Sequence, residues 1–161
     1  MKLAYDLFAE TNPAYCSYVL NTFVSAYENV KATGPEIVLG YCALPLALSG
    51  DLIHTFNGTN KSTGLLVWLQ RHPEIKVELS ERINSSLDIF TETLKYGSFS
   101  KLLIVTEDGL LKTGSEKTNK MAIKRLTQDS QVAFNNARLL GTWFATTGTA
   151  RTALNMMGLT V

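Results

Sequence analysis

The sequence predicts a mainly α fold (α+β), a helical domain with one β-hairpin. Three observations carry this. Apolar residues recur at helical spacing, as in Cys16, Leu20, Phe23, Val24 and Tyr27. One Asp108-Gly109 pair stands between two short apolar runs, KLLIVT (Lys101–Thr106) and LLKT (Leu110–Thr113), the strongest short-range hairpin signal. No internal repeat or low-complexity linker divides the chain, so 1–161 reads as a single domain, long enough to bury one core.

The elements follow in order. Asn12-Pro13 opens the first helix, with Asn12 at the N-cap and Pro13 at the first helical position. Thr33-Gly34-Pro35 ends it. Glu36 to Leu48 is apolar all round and buried; helix is favoured, with a strand from Ile37 to Cys42 as the alternative that periodicity does not separate. Ser49 to Thr63 is polar and punctuated by glycine, with a short helix at Asp51 to Phe56. Leu65 to Arg71 is a short helix capped by Ser62 or Thr63. Pro73 starts another helix, along which Leu79, Ile83, Leu87, Phe90 and Leu94 step on one face until Gly97. The hairpin comes next, with a type I′ turn requiring φ > 0 at both Asp108 and Gly109. Gly114 to Gln131 is polar and basic-leaning, with a helical turn or two at Met121 to Leu126. A long helix then carries Ala133, Ala137, Leu140 and Phe144 on one stripe with Trp143 beside it, and Gly148 stops it. Arg151 to Met157 forms a last short helix with Gly158 at C′. A helix leading directly into a tight hairpin is winged-helix-like order, with the hairpin as the wing.

Composition narrows the function. The net charge is +1, which argues against a dedicated nucleic-acid binder. Charged residues make up only 18% and hydrophobic residues 45%, the balance of a rich core or of a face meant for a partner subunit. Cys16 and Cys42 lie in apolar runs without CxxC spacing and read as buried thiols of a reducing compartment. The N-terminus lacks the long apolar core of a signal peptide, and the longest apolar run, Ile37 to Leu48, is too short to span a bilayer. A cytoplasmic location is expected.

No catalytic constellation emerges. Lys61-Ser62 in FNGTNKSTGLLVWLQRHP resembles the end of a phosphate loop, but Asn60 stands where glycine must precede the lysine, and the motif's first glycine is missing too. His54 and His72 are the only histidines, and neither belongs to HExxH or a Cys/His cluster, so no metal site is expected. Asp51 lies three residues before His54 and is placed to orient it on a helical turn, yet no nucleophile motif completes a triad. His72, before Pro73, reads as structural at a helix junction. Catalytic residues, cofactors and metal ligands are therefore each expected to be none. The basic segment Lys112, Lys117, Lys120, Lys124 and Arg125 supplies candidate DNA-phosphate contacts, diluted by Glu107, Asp108 and Glu116.

Several stretches together carry a family likeness: NPAYCSYVLNTFVSAY (Asn12–Tyr27), VLGYCALPLAL (Val38–Leu48), STGLLVWLQRHPE (Ser62–Glu74), TLKYGSFSKLLIVTEDGLLKTG (Thr93–Gly114) and ARLLGTWFATTGTARTALNMMGLTV (Ala137–Val161). In order and spacing the chain resembles the middle component of bacterial three-component ABC systems, a group related to the Lamassu defence systems. The resemblance implies a non-enzymatic accessory subunit in a complex acting against phage or plasmids. Its partners would be an SMC- or Rad50-like ABC ATPase that senses foreign DNA and an effector subunit, often a nuclease. It transfers no catalytic residue. Gly50 to Lys61 departs from the pattern in its glycine and asparagine content, so no contact is carried over there. The alternative is a free-standing winged-helix DNA-binding protein or transcription regulator. Against it, the helix before the hairpin carries Arg82, Asn84 and Lys95 beside Glu81, Asp88 and Glu92, which is no basic recognition surface.

Overall fold

The computed structural model describes residues 12–117 and 128–159. Helix α1 spans Pro13–Val30, and Asn12 caps it by accepting the Tyr15 N–H at 3.2 Å. Pro13 occupies the first turn, where a missing N–H leaves no bond unmade. The stripe Cys16, Leu20, Phe23, Val24 and Tyr27 is buried as its spacing requires. The choice at Ile37–Cys42 resolves to helix, α2 at Ile37–Leu48. Burial of Cys42 pushes its thiol up to about 12.

The polar stretch after α2 holds a 3-10 helix at Gly50–Phe56, followed by α3 at Gly64–Arg71. The expected cap of α3 is absent. Thr63 Oγ1 instead accepts the Asn60 N–H at 2.9 Å, and Asn60 Oδ1 accepts the Ser62 N–H at 2.8 Å. The loop's own turn takes the Thr63 hydroxyl that would have capped the helix.

The single helix expected from Pro73 to Gly97 is three pieces: a 3-10 turn at Pro73–Lys76, α4 at Leu79–Ser85 and α5 at Leu87–Phe99. Glu78 is left-handed at φ 56, and Ser86 leaves helical geometry at φ −92, ψ 2. Ser85 and Ser86 both donate their hydroxyls back to helix carbonyls, of Glu81 and Ile83, a competition that weakens a helix interior. The break also changes the face: Leu79, Ile83 and Phe90 are buried, while Leu87 is 53% exposed.

Nor does the helix stop at Gly97. It runs to Phe99 and closes in a Schellman motif, with Leu102 N–H donating to Gly97 O at 2.9 Å and Lys101 N–H to Ser98 O at 3.3 Å. Lys101 takes the left-handed position at φ 63, where a side chain costs roughly 1–2 kcal/mol. Lys101→Gly is expected to raise stability by up to about 1 kcal/mol, part of the relief being offset by the unfolded chain's added freedom. For a chain of this size that is a Tm increase of about 2–4 °C in thermal unfolding. An unchanged or lowered Tm would contradict the strained cap.

Strands β1 (Leu103–Val105) and β2 (Leu111–Thr113) form an antiparallel hairpin in the register Leu103↔Thr113, Ile104↔Lys112, Val105↔Leu111. Both strands are shorter than the apolar runs suggest. The turn also differs from a type I′: of its two central residues only Gly109 is left-handed, at φ 80. Gly109 N–H donates to Thr106 O at 3.0 Å and Thr106 N–H to Leu110 O at 2.9 Å. That is a three-residue loop closed by a left-handed glycine, in which Asp108 keeps ordinary φ. The chain before α2 lies alongside: Leu111 N–H donates to Pro35 O at 2.7 Å and Ile37 N–H to Gly109 O at 3.0 Å.

Helix α6 spans Gln128–Thr146 and makes the most extensive pairing of the fold, with α1. Ala133, Ala137, Leu140, Trp143 and Phe144 are all buried on it. Phe144 meets Phe23 edge-on at 5.7 Å. Helix α7, Ala150–Met156, is followed by Gly158 in the left-handed C′ position, φ 75. The helical turn expected at Met121–Leu126 lies outside the described residues. Among the described residues no single helix is long and apolar enough to cross a membrane.

Candidate interaction surfaces

The hairpin is anchored to α1 by two side chains. The buried Asn21 Nδ2 donates to Leu102 O at 2.8 Å, and Glu28 Oε1 accepts the Thr113 N–H at 3.0 Å. Between α1, the hairpin exit and α6 lies a cleft of about 400 Å³, lined by Asn21, Thr22 and Asn29 of α1, by Gly114 and Lys117 after β2 and by Arg138 of α6. Of the five basic residues predicted as phosphate contacts, Lys117 lines this cleft together with Glu116. Lys112 sits on β2 opposite Ile104, half-buried, and does not line it. Lys120, Lys124 and Arg125 lie outside the described residues. Arg138 lines the same cleft from α6, its Nη1 donating to Asn135 Oδ1 at 3.1 Å, and sequence spacing does not reveal that it shares the cleft with Lys117.

Arg82 of α4 and Lys95 of α5, the cations of the two helices just before the hairpin, are already engaged. Arg82 grips Asp51 through two bonds of 2.9 and 2.7 Å and reaches Ser49 Oγ at 2.9 Å. That fork holds the Asp51 carboxyl below its ordinary range. Lys95 pairs with Glu92 at 3.2 Å. The expected pairing of Asp51 with His54 is accordingly replaced. His54 Nε2 instead faces Glu74 Oε1 at 3.5 Å, and His72 Nδ1 approaches the same oxygen at 3.2 Å. His72 does sit at a helix junction, closing α3 through its N–H to Trp68 O. The fold thus gathers three groups able to hold a metal ion, which the sequence reading did not foresee. The only local hint was the His72-x-Glu74 spacing.

Among the described residues the exposed large apolar side chains are spread over several elements, Val30, Ile53 and Leu87 included, and two sets of them share neighbouring elements. The first is Tyr96 and Phe99 at the end of α5 with Ile104 and Val105 on β1; Phe99 is 90% exposed. Tyr96 and Phe99 are three apart and share a helix face. The second is Leu66 and Val67 on α3 and Val77 beyond the 3-10 turn. Helix α3 buries Leu65, Trp68 and Leu69 and leaves Leu66 and Val67 outward, so this is a face and not a misplaced core. The groups sit on different supports: α3 packs on α6 and α7, the hairpin on α1 and α5. An aromatic off the buried stripe of α5 is the one sequence signal that could have marked Phe99.

Comparison with known proteins gives one family. Residues 7–161 match the family described as ABC-three component (ABC-3C) system Middle Component 3. The chain belongs to this family. No curated protein and no solved structure matches significantly. As a middle component the protein is one part of a three-component ABC system and has the other components as partners. Exposed apolar groups suit a protein with such partners, because surfaces of this kind mark protein–protein contacts.

Proposed function

We propose that this middle component is a non-catalytic joining subunit, docking an SMC- or Rad50-like ABC ATPase on one side and an effector, of nuclease type, on the other, in a Lamassu-related defence against phage or plasmids. The observation that carries the reading is the pair of separate exposed apolar groups on a member of a middle-component family. The exposed Phe99, with Tyr96 and Ile104, is the natural anchor for one partner: aromatic residues dominate the energy of protein interfaces. DNA contact belongs to the assembled complex, with Lys117 and Arg138 as this chain's contribution. The three groups at His54, His72 and Glu74 take no part in this reading.

Co-expression with the other components of its system tests it. The tagged chain is expected to recover both partners, and Phe99→Asp is expected to lose one partner while keeping the other and an unchanged Tm. Recovery of the tagged chain alone would overturn the joining role. Loss of both partners together with a lowered Tm would remove Phe99 as the anchor.

A further inference from the structure

We infer that His54, His72 and Glu74 form a binding site for one divalent transition-metal ion, Zn²⁺ by the character of the donors. Two imidazole nitrogens and one carboxylate oxygen is a set that zinc accepts and that magnesium and calcium, which take oxygen ligands, do not favour.

The geometry is close to what the ion requires. Metal–ligand bonds of about 2.0–2.1 Å in a tetrahedron put ligand atoms about 3.3–3.4 Å apart. Glu74 Oε1 lies 3.5 Å from His54 Nε2 and 3.2 Å from His72 Nδ1, so two of the three edges already fit. All three ligand atoms lie within 4.8 Å of one another, and the imidazole rings stand at 89° with centroids 5.9 Å apart. Closing the remaining edge takes a side-chain rotation. His54 is free to make it, its side chain being 60% exposed.

The backbone beneath the ligands is fixed. His54 comes from the 3-10 helix Gly50–Phe56, and Glu74 from the 3-10 turn Pro73–Lys76. Trp68 Nε1 donates to Thr55 O at 3.1 Å, tying the residue after His54 to α3. His72 N–H donates to Trp68 O at 3.1 Å, so both histidines are referred to one buried tryptophan. Ile75, beside Glu74, is 1% exposed and pins the turn from below. Asp51 is occupied by Arg82 and leaves Glu74 as the carboxylate ligand. The fourth position faces solvent and takes water. A bound ion would cross-link the Gly50–Phe56 helix to the Pro73–Lys76 turn.

Titration of the tag-free chain with ZnCl2 by calorimetry, with X-ray absorption on the loaded protein, tests the site. One equivalent is expected to bind, with two imidazoles among nitrogen and oxygen ligands at about 2.0–2.1 Å. His54→Ala, His72→Ala and Glu74→Gln are each expected to weaken binding by at least about 10-fold, the lower bound seen even for outer groups around bound metals. Circular dichroism verifies that each variant is folded. Absence of uptake by the unaltered protein at millimolar ZnCl2 would overturn the site, as would an absorption spectrum without two imidazoles, whatever the variants do. Equal affinity in a folded His54→Ala/His72→Ala double variant would overturn it too.

Discussion

Trp143→Ala is expected to destabilise the protein by about 3–5 kcal/mol, read as a lower midpoint in urea or guanidinium unfolding followed by circular dichroism. Trp143 is 0% exposed and lies in a three-ring cluster, stacked on Phe56 at 6.0 Å and 9° and tilted against Trp68 at 5.5 Å and 43°. Its Nε1–H donates to Asn60 O at 3.0 Å. That carbonyl also accepts the Thr63 N–H at 3.1 Å, so truncation does not leave it without a partner. The expected loss is therefore one of packing and cavity formation, not of an orphaned polar group. Against a usual total of about 5–15 kcal/mol, that is a large share of the stability. Trp143→Phe keeps a ring against Phe56 and should lose clearly less. Equal losses would place the energy in the indole hydrogen bond instead.

The same cluster shows what was legible in the sequence. Helix α6 could be read because Ala133, Ala137, Leu140 and Phe144 repeat at helical spacing, and α1 because Asn12-Pro13 announces it. The hairpin was visible in Asp108-Gly109, though not its turn type: one left-handed glycine and a three-residue loop satisfy the same dipeptide. The break between α4 and α5 was hidden. Leu79, Ile83, Leu87, Phe90 and Leu94 fit one helical stripe, and nothing local says that Glu78 and Lys101, both non-glycine, turn left-handed. The candidate sites were less legible still. Lys117 was singled out for its charge, but Arg138, which lines the same cleft, arrives from α6. His54 and Glu74 are brought together by the path of the chain around Trp68, and no spacing rule encodes that path. A middle component was nonetheless visible, because a likeness spread over most of the chain does not depend on any one contact.

Gly141→Val is expected to be the most damaging change on the α1–α6 crossing, where the two helices pack most extensively. A Cβ at Gly141 would stand 2.4 Å from the Phe23 carbonyl oxygen, 2.8 Å from Ala26 Cβ and 3.1 Å from Tyr27 N. Two of these three atoms are backbone of the facing helix, so no rotamer relieves the clash and α1 itself must move. Overpacking of this kind costs about 1–3 kcal/mol and sometimes more. Gly141→Ala recovers roughly 0.5–1 kcal/mol of helix propensity, so it should show a smaller net loss than valine, which adds branched methyls to the same collision. Gly97→Ala is the control within the protein. There the close atoms all belong to the side chain of Leu103, Cδ1 at 2.6 Å, Cγ at 3.1 Å and Cβ at 3.3 Å, and none is facing backbone. Denaturant midpoints should therefore rank Gly97→Ala above Gly141→Ala and Gly141→Ala above Gly141→Val. The reverse order, or three equal values, would mean that the crossing yields as easily as a side chain does, and that Gly141 is not what sets the distance between α1 and α6.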